Sequence, residues 1–240
     1  MIDCDINYNN HDFLKYDLHI HSRFSYDSLS TPKRILKAAK HLGLSGLAIT
    51  DHNTIKGAIE VSKIDKIFQI IIGSEIKTDK GDIIGLFLND EIISRRFDEV
   101  VDEIRDQDGF IVLPHPYKTH NDVPVDILDK IDAIEIFNGR ISPELNKKAG
   151  QLKYKKLLFT GGSDAHLVKH VGSVVTIIDK DSGPLTIDNI HSALKKVEIK
   201  GMVVPRYTHY YTAAVGNIRM KRYTKLGKLA VNEFYKLVAR

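Results

Sequence analysis

Residues 16–28, YDLHIHSRFSYDS, carry the reading on which the fold turns. A short apolar run ends on two histidines one residue apart, with serines and an aspartate close behind. Side chains at i and i+2 of a strand share a face, so His19 and His21 point together. Two neutral imidazoles gain little from each other, but together they can grip one metal ion. A strand ending on such groups suits an α/β fold whose working residues stand at strand C-termini.

The same pattern recurs outward from this stretch. Apolar runs of strand character are YDLHI, GLAIT, FQIIIGSEI, IIGLFL, FIVLP, AIEIF, KLLFT and SVVTIID. Between them, TPKRILKAAKHLG reads as a helix with Thr31 as N-cap, Pro32 at its first position and Gly43 as its stop. SRRFDEVVDEIRDQDG puts Phe97, Val100, Val101 and Ile104 on one helical face. SPELNKKAGQLKY and TIDNIHSALKKV complete the helical set. This alternation predicts βα units around a mainly parallel sheet. A tight turn at Lys80 and Gly81 makes IIIGSEIKTDKGDIIGLFL a hairpin or bent strand pair. Seven or eight strands in 240 residues suit a closed, irregular barrel. An open doubly wound sheet is the alternative that periodicity leaves standing.

Bulk composition sets the outer bounds. Hydrophobic content of 42% with 28% charged residues describes an ordinary globular protein with no apolar stretch near the ~20 residues of a membrane span. The start, MIDCDINYNNHDF, is acidic and polar, unlike a secretory signal. Cys4 is the sole cysteine, so an intrachain disulfide is excluded and a reducing, cytoplasmic setting is expected. Net charge is +4, yet residues 201–240 alone hold eight Lys/Arg and one acid, leaving the remainder mildly acidic. A general nucleic-acid binder would show a broader basic surface.

Polar residues follow the strand runs repeatedly. GLAIT leads into Asp51 and His52, FQIIIGS into Glu75, FIVLP into His115, and LLFTGGS into Asp164 and His166. Any one of these has a structural explanation as a cap or loop residue; their recurrence at five strand ends does not. Imidazole and carboxylate together suit Zn, Mn or Fe, and one cysteine rules out a thiolate site. There are too many ligands for one ion, so two or three metals are expected.

DLHIHSRFSYDS, LAITDHNT, IIIGSEIKT, IVLPHPY, IEIFNGR and GGSDAH, in this order, resemble the PHP (polymerase and histidinol phosphatase) family, in its stand-alone phosphoesterase form. The resemblance implies a distorted seven-stranded β/α barrel, (β/α)7 and TIM-like, with residues 1–240 as one PHP domain. It also implies up to three divalent ions and hydrolysis of phosphate mono- or diesters. On this likeness His19, His21, Glu75 and Asp164 hold a first metal. Glu75 bridges to a second, also bound by His115, and Asp27, His52 and His166 hold a third. Many relatives carry a further histidine ligand where this chain has Asp82, so Asp82 is expected as a shorter, anionic ligand. His19, His21, Glu75, Asp164 and His166 form the expected catalytic set.

Chemistry follows from charge, because a water between two cations loses a proton near neutral pH and can attack phosphorus without a protein nucleophile. Ser22, Ser25 and Ser163 are then supporting hydrogen-bonding residues, and Asp51 is expected to orient a ligating imidazole. Arg23, Lys118 and Arg140 are the candidates for gripping phosphate, Arg140 foremost because a guanidinium can bind in bidentate fashion. His120 and His170 read as structural loop residues. Expected substrates are a phosphorylated small molecule, a nucleotide or an oligonucleotide end. An amidohydrolase-like deacylase and a non-catalytic PHP regulatory module are the competing readings. Finally, Leu226, Leu229, Val231, Phe234, Leu237 and Val238 fit one apolar stripe of a basic, helical C-terminal segment at about 206–240.

Overall fold

The eight apolar runs all become strands. They are β1 (Phe13–Ile20), β2 (Gly46–Ile49), β3 (Gln69–Thr78), β4 (Gly81–Leu86), β5 (Phe110–Leu113), β6 (Ala133–Asn138), β7 (Leu158–Gly162) and β8 (Val174–Asp179). A ninth, β9 (Glu198–Gly201), escaped the sequence reading because its four residues, EIKG, contain one apolar side chain and stay largely exposed. The structure is a computed structural model that describes residues 12–155 and 157–225. The apolar stripe expected at 226–238 lies outside these residues.

All nine strands form one sheet in the order β7-β6-β5-β4-β3-β2-β1-β8-β9. β1, β2 and β3 are parallel, as are β5, β6 and β7, while β4 runs antiparallel to both its neighbours. The expected hairpin is therefore real: β3 and β4 pair from Gly73–Leu86 to Thr78–Gly81, and Gly81 takes the turn with φ of 110°. The sheet curls until its first and seventh strands meet. Ile20 bridges Ala165, and the His21 N–H donates to the Ala165 carbonyl at 2.9 Å. The N-terminal half of β1 is instead taken by β8, antiparallel from Phe13–Asp179 to Tyr16–Thr176. The result is a nearly closed barrel whose seam is tight at the C-terminal ends of the strands and extended by β8 and β9 at the other. Of the two architectures left open by periodicity, the barrel is the one formed.

Helices α1 (Pro32–His41), α2 (Lys56–Ile64), α3 (Phe97–Arg105), α4 (Pro116–Thr119), α5 (Val125–Leu128), α6 (Pro143–Gly150), α7 (Ile190–Ala193) and α8 (Tyr207–Arg219) connect and flank the strands. Their apolar faces explain their positions: α3 buries Phe97, Val100, Val101 and Ile104 against Ile76, Ile83, Ile111 and Ile134. Burying four such side chains stabilises by roughly 2 kcal/mol each. α1 buries Ile35, Leu36 and Ala39 with Leu47 and Ile49. Thr31 stands at the N-cap position, but its side chain makes no capping bond; Pro32 alone marks that start. α7 is shorter than its sequence pattern, giving way to a 3₁₀ turn over Leu194–Lys196. Among the described residues no helix is long and apolar enough to cross a membrane.

Candidate metal centre

The strand ends deliver their polar residues to one place. On β1, Asp17 and His19 share a face with His21, while Leu18 and Ile20 point into apolar clusters. His52 follows β2 and bridges Glu75 of β3, whose N–H is held by the Thr50 and Asp51 carbonyls. His115 lies two residues past β5, and Asp164 two past β7. Both sit in the left-handed region, with φ of 31° and 51°. Left-handed backbone is costly for residues with a side chain and is often kept at functional sites.

Among the described residues, four groups of ligand atoms come close enough to share an ion: His19, His21 and Glu75; His19, His115 and Asp164; Glu75, Asp82 and His115; and His21, His52 and His166. The first and third are subsets of the first- and second-metal sets implied by resemblance. The fourth keeps His52 and His166 and adds His21. Asp27 joins them, with Oδ2 3.1 Å from His166 Nε2 and Oδ1 3.5 Å from His52 Nε2. Asp82 stands at the edge, partly exposed, with Lys118 Nζ 4.0 Å away.

Hydrogen bonds fix the tautomers that a cation requires. His19 Nδ1–H donates to Glu135 Oε1 at 3.0 Å, which turns Nε2 toward the cluster. His21 Nδ1 meets Ser25 Oγ at 3.0 Å, and that hydroxyl donates to Asp51 Oδ1 at 2.7 Å, so His21 also presents Nε2. His166 Nδ1 is turned to the Asp164 carbonyl at 2.9 Å. The Nε2 atoms of His19 and His21 then face each other at 3.1 Å, a spacing two lone pairs accept only with a proton or cation between them. Among the described residues, His166 Nε2 and Asp27 Oδ1 are buried without a well-formed hydrogen bond, the 3.1 Å approach of His166 Nε2 to Asp27 Oδ2 notwithstanding. Orphaned donor atoms in a buried nest of imidazoles and carboxylates are what divalent metal ions satisfy. Burial opposes the charge on Glu75, yet His52 and His19 hold its carboxyl well below the usual range. Burial likewise opposes charging His52, but Glu75 and Asp27 lift it to about 10.

A cavity of about 460 Å³ opens onto the cluster, lined by Asp27, His52, Glu75, Asp82, Asp164 and His166, with Lys118 and Arg140 beside them. Two of the three phosphate-binding candidates are thus brought to the cavity. Arg23 is not: its guanidinium reaches outward to Glu60 at 3.0 and 3.1 Å and is absent from the lining. An exposed carboxylate within reach outcompetes the cavity for a long side chain at the loop's surface. Asp51 also differs from expectation. It accepts from the N–H and hydroxyl of both Ser22 and Ser25, and so reaches His21 only through Ser25. Ser163 donates its N–H to Asp17 at 2.9 Å. His120 and His170 stay out of the lining.

Several lining and supporting residues were missed. Glu135, 2% exposed, accepts from His19, from the His115 N–H and from Asn138 Nδ2. Its signal was a lone carboxylate within the apolar run AIEIF. Tyr26 stacks on His52 with ring centroids 4.8 Å apart. Asn53, Lys77 and His209 complete the polar lining, and no spacing pattern marked them.

Comparison with known proteins agrees with this geometry. The PHP domain model matches residues 17–118, and the PHP-associated model matches residues 143–199. An uncharacterized protein of Methanocaldococcus jannaschii is 42% identical over 142 residues, covering 52% of this chain and 82% of its own length. A second uncharacterized protein of that organism is 34% identical over 173 residues, covering 67% of this chain and 68% of its own. Among solved structures, a Bacteroides vulgatus "two-domain protein containing predicted PHP-like metal-dependent phosphoesterase" superposes with a TM-score of 0.64 at 21% identity, over 81% of this chain and 66% of that one. By the family models and by these relatives, the chain belongs to the PHP domain family.

Proposed function

We propose that the chain hydrolyses phosphate mono- or diesters at a di- or trinuclear site for Mn, Fe or Zn. The observation that carries this reading is the clustering of the strand-end ligand candidates at a cavity whose wall also holds Lys118 and Arg140. Ions held there would acidify a water near neutral pH and neutralise phosphoryl oxygens. The chain's own groups supply the rest. Glu135 and Ser25 hold the His19 and His21 rings with Nε2 turned inward. Asn138 Nδ2 steadies Asp164 from 3.3 Å. Lys118 and Arg140 supply the cationic donors that a phosphate needs beyond the metals. The substrate is a phosphorylated small molecule, a nucleotide or an oligonucleotide end.

The test is direct. Protein loaded with each metal should hold two to three equivalents by elemental analysis and cleave members of a phosphate-ester panel. His19→Ala, Glu75→Ala and Asp164→Ala should each abolish that turnover while keeping the fold by circular dichroism. Cleavage of N-acyl substrates with no phosphate ester cleaved would favour the deacylase reading instead. Less than one bound equivalent after loading would refute the metal cluster itself.

A further inference from the structure

His209 lines the cavity beside the ligand candidates, and its Nε2 is buried with no hydrogen-bond partner among the described residues. It lies past residue 199, outside both family matches. α8, which carries it, is tied to the rim at several points. Arg140 Nη2 donates to Thr212 Oγ1 at 2.9 Å. A Cβ on Gly216 would stand 3.1 Å from the Asp27 Cβ. Arg219 donates to the carbonyls of Arg23, Ser25 and Ser28, the loop that presents Asp27. The helix is therefore fixed against the same loops that build the site, and His209 has a set place in the cavity wall.

Phosphate esters of aliphatic alcohols pose a problem that charge neutralisation alone does not solve. Their leaving oxygen is strongly basic and needs a proton as the P–O bond breaks, a contribution of roughly 10²–10⁴-fold in rate. Among the lining residues that are not ligand candidates, Asn53 and Ile141 have no acidic proton. Burial opposes the charge on Lys118, but the nearby Glu75, Asp164 and Asp82 carboxylates hold its ammonium charged, and Lys77 and Arg140 serve as cationic donors to phosphate. Burial, with Asp27 nearby, lifts the Tyr26 hydroxyl to about 12. His209 remains. Burial and the adjacent Arg140, with Arg206 and Lys118 also near, press its imidazole down to about 4 against the pull of Asp164. An anion arriving between those cations cancels the positive surroundings and favours the imidazolium form.

We propose that His209 is a catalytic residue that becomes protonated when a phosphate ester binds and donates that proton to the leaving alkoxide, fitting the site to esters of aliphatic alcohols. The inference rests on the phosphoesterase reading. In the balanced step, the water oxygen bonds to phosphorus and the P–O bond to the alcohol breaks, its electron pair staying on the leaving oxygen. The Nε2 proton moves to that oxygen. The proton lost by the attacking water passes to solvent, replacing the one His209 took up.

Two measurements test this. Wild type, His209→Gln and His209→Ala are compared at equal metal content on p-nitrophenyl phosphate and on glycerol phosphate. The kcat for glycerol phosphate should fall by about 100-fold, and by at least about tenfold more than for the aryl ester, whose leaving group needs little proton assistance. Equal losses on both esters overturn the proposal. Separately, the ¹⁵N-histidine spectrum of zinc-loaded protein is titrated with and without inorganic phosphate, with His209→Gln identifying the resonance. Phosphate should raise the His209 midpoint from about 4 toward neutrality, by roughly two units or more; a midpoint that stays unmoved or well below neutrality also overturns it. This titration needs no turnover, so a wild type that cleaves no ester would sink the phosphoesterase reading while the spectrum still decides whether His209 answers to phosphate.

Discussion

His19 shows how much of this site depends on one atom's direction. Its Nε2 can face a cation only while Nδ1–H is held by Glu135, and the other Glu135 oxygen accepts from the His115 N–H and Asn138. Glu135→Gln presents an amide donor to at least one existing donor, so the His19 ring loses its fixed tautomer or His115 its anchor. Metal affinity should fall by about 10–100-fold in a chelator-competition titration, with the far-ultraviolet spectrum unchanged. Wild-type affinity in that variant would make Glu135 a bystander. Most ligand candidates were legible in the sequence because strand geometry fixes where i and i+2 residues point and they stood at the ends of apolar runs, whereas Asp27 and Asp82 were assigned as ligands only through the family resemblance. Glu135 was not, because a carboxylate inside a strand is ordinarily assigned to the solvent face. Arg23 was misassigned for a related reason: sequence places a long side chain in the right loop but not on the right side of it.

At the scale of elements, the seam between β1 and β7 and the β3–β4 hairpin do the positioning. A Cβ on Gly162 would run into the His19 Cβ and stand 2.8 Å from the His19 N. Because those atoms are anchored in β1, the strand and not a flexible tip would have to move. Gly162→Ala should cost about 1–3 kcal/mol in denaturant unfolding and displace His19 enough to lower bound metal. A variant of unchanged stability and metal content would show the seam to be loose. The hairpin brings Asp82 opposite Lys77 and toward Glu75 and His115. If Asp82 ligates, Asp82→Ala should remove about one metal equivalent, and Asp82→His should retain the ion with an altered metal preference. Should both match wild type in stoichiometry and rate, Asp82 is a turn residue. The eight apolar runs made their strands legible. β9 and α2 were not, since β9 is nearly all polar or glycine, and α2 lacks a capping side chain and buries only Gly57, Ala58 and Val61.

Across the whole molecule, the mouth of the barrel gathers Asp27, Glu75, Asp82 and Asp164 among His19, His21, His52, His115, His166 and His209, and much of this charge is buried. Without metal, protonated imidazoles supply the compensating positive charge, as His52 does with its midpoint lifted to about 10. That raised value stabilises the metal-free fold most fully below the unfolded midpoint of ~6.5, and the benefit is lost as pH climbs through 10. A metal must displace the same proton in order to bind His52. Two consequences are measurable together. At pH 8, metal at 100 times its Kd should add about 2.7 kcal/mol. For a chain of this size that corresponds to a rise of roughly 5–10 °C in Tm over chelator-treated protein. As pH is lowered from 8 to 6, the increment should shrink, because each proton released on binding weakens affinity about tenfold per pH unit. Calorimetry in buffers of different ionisation enthalpy should record that release. An increment independent of pH, with no proton released, would mean that the ions bind carboxylates alone and that the histidines at the strand ends are not their ligands.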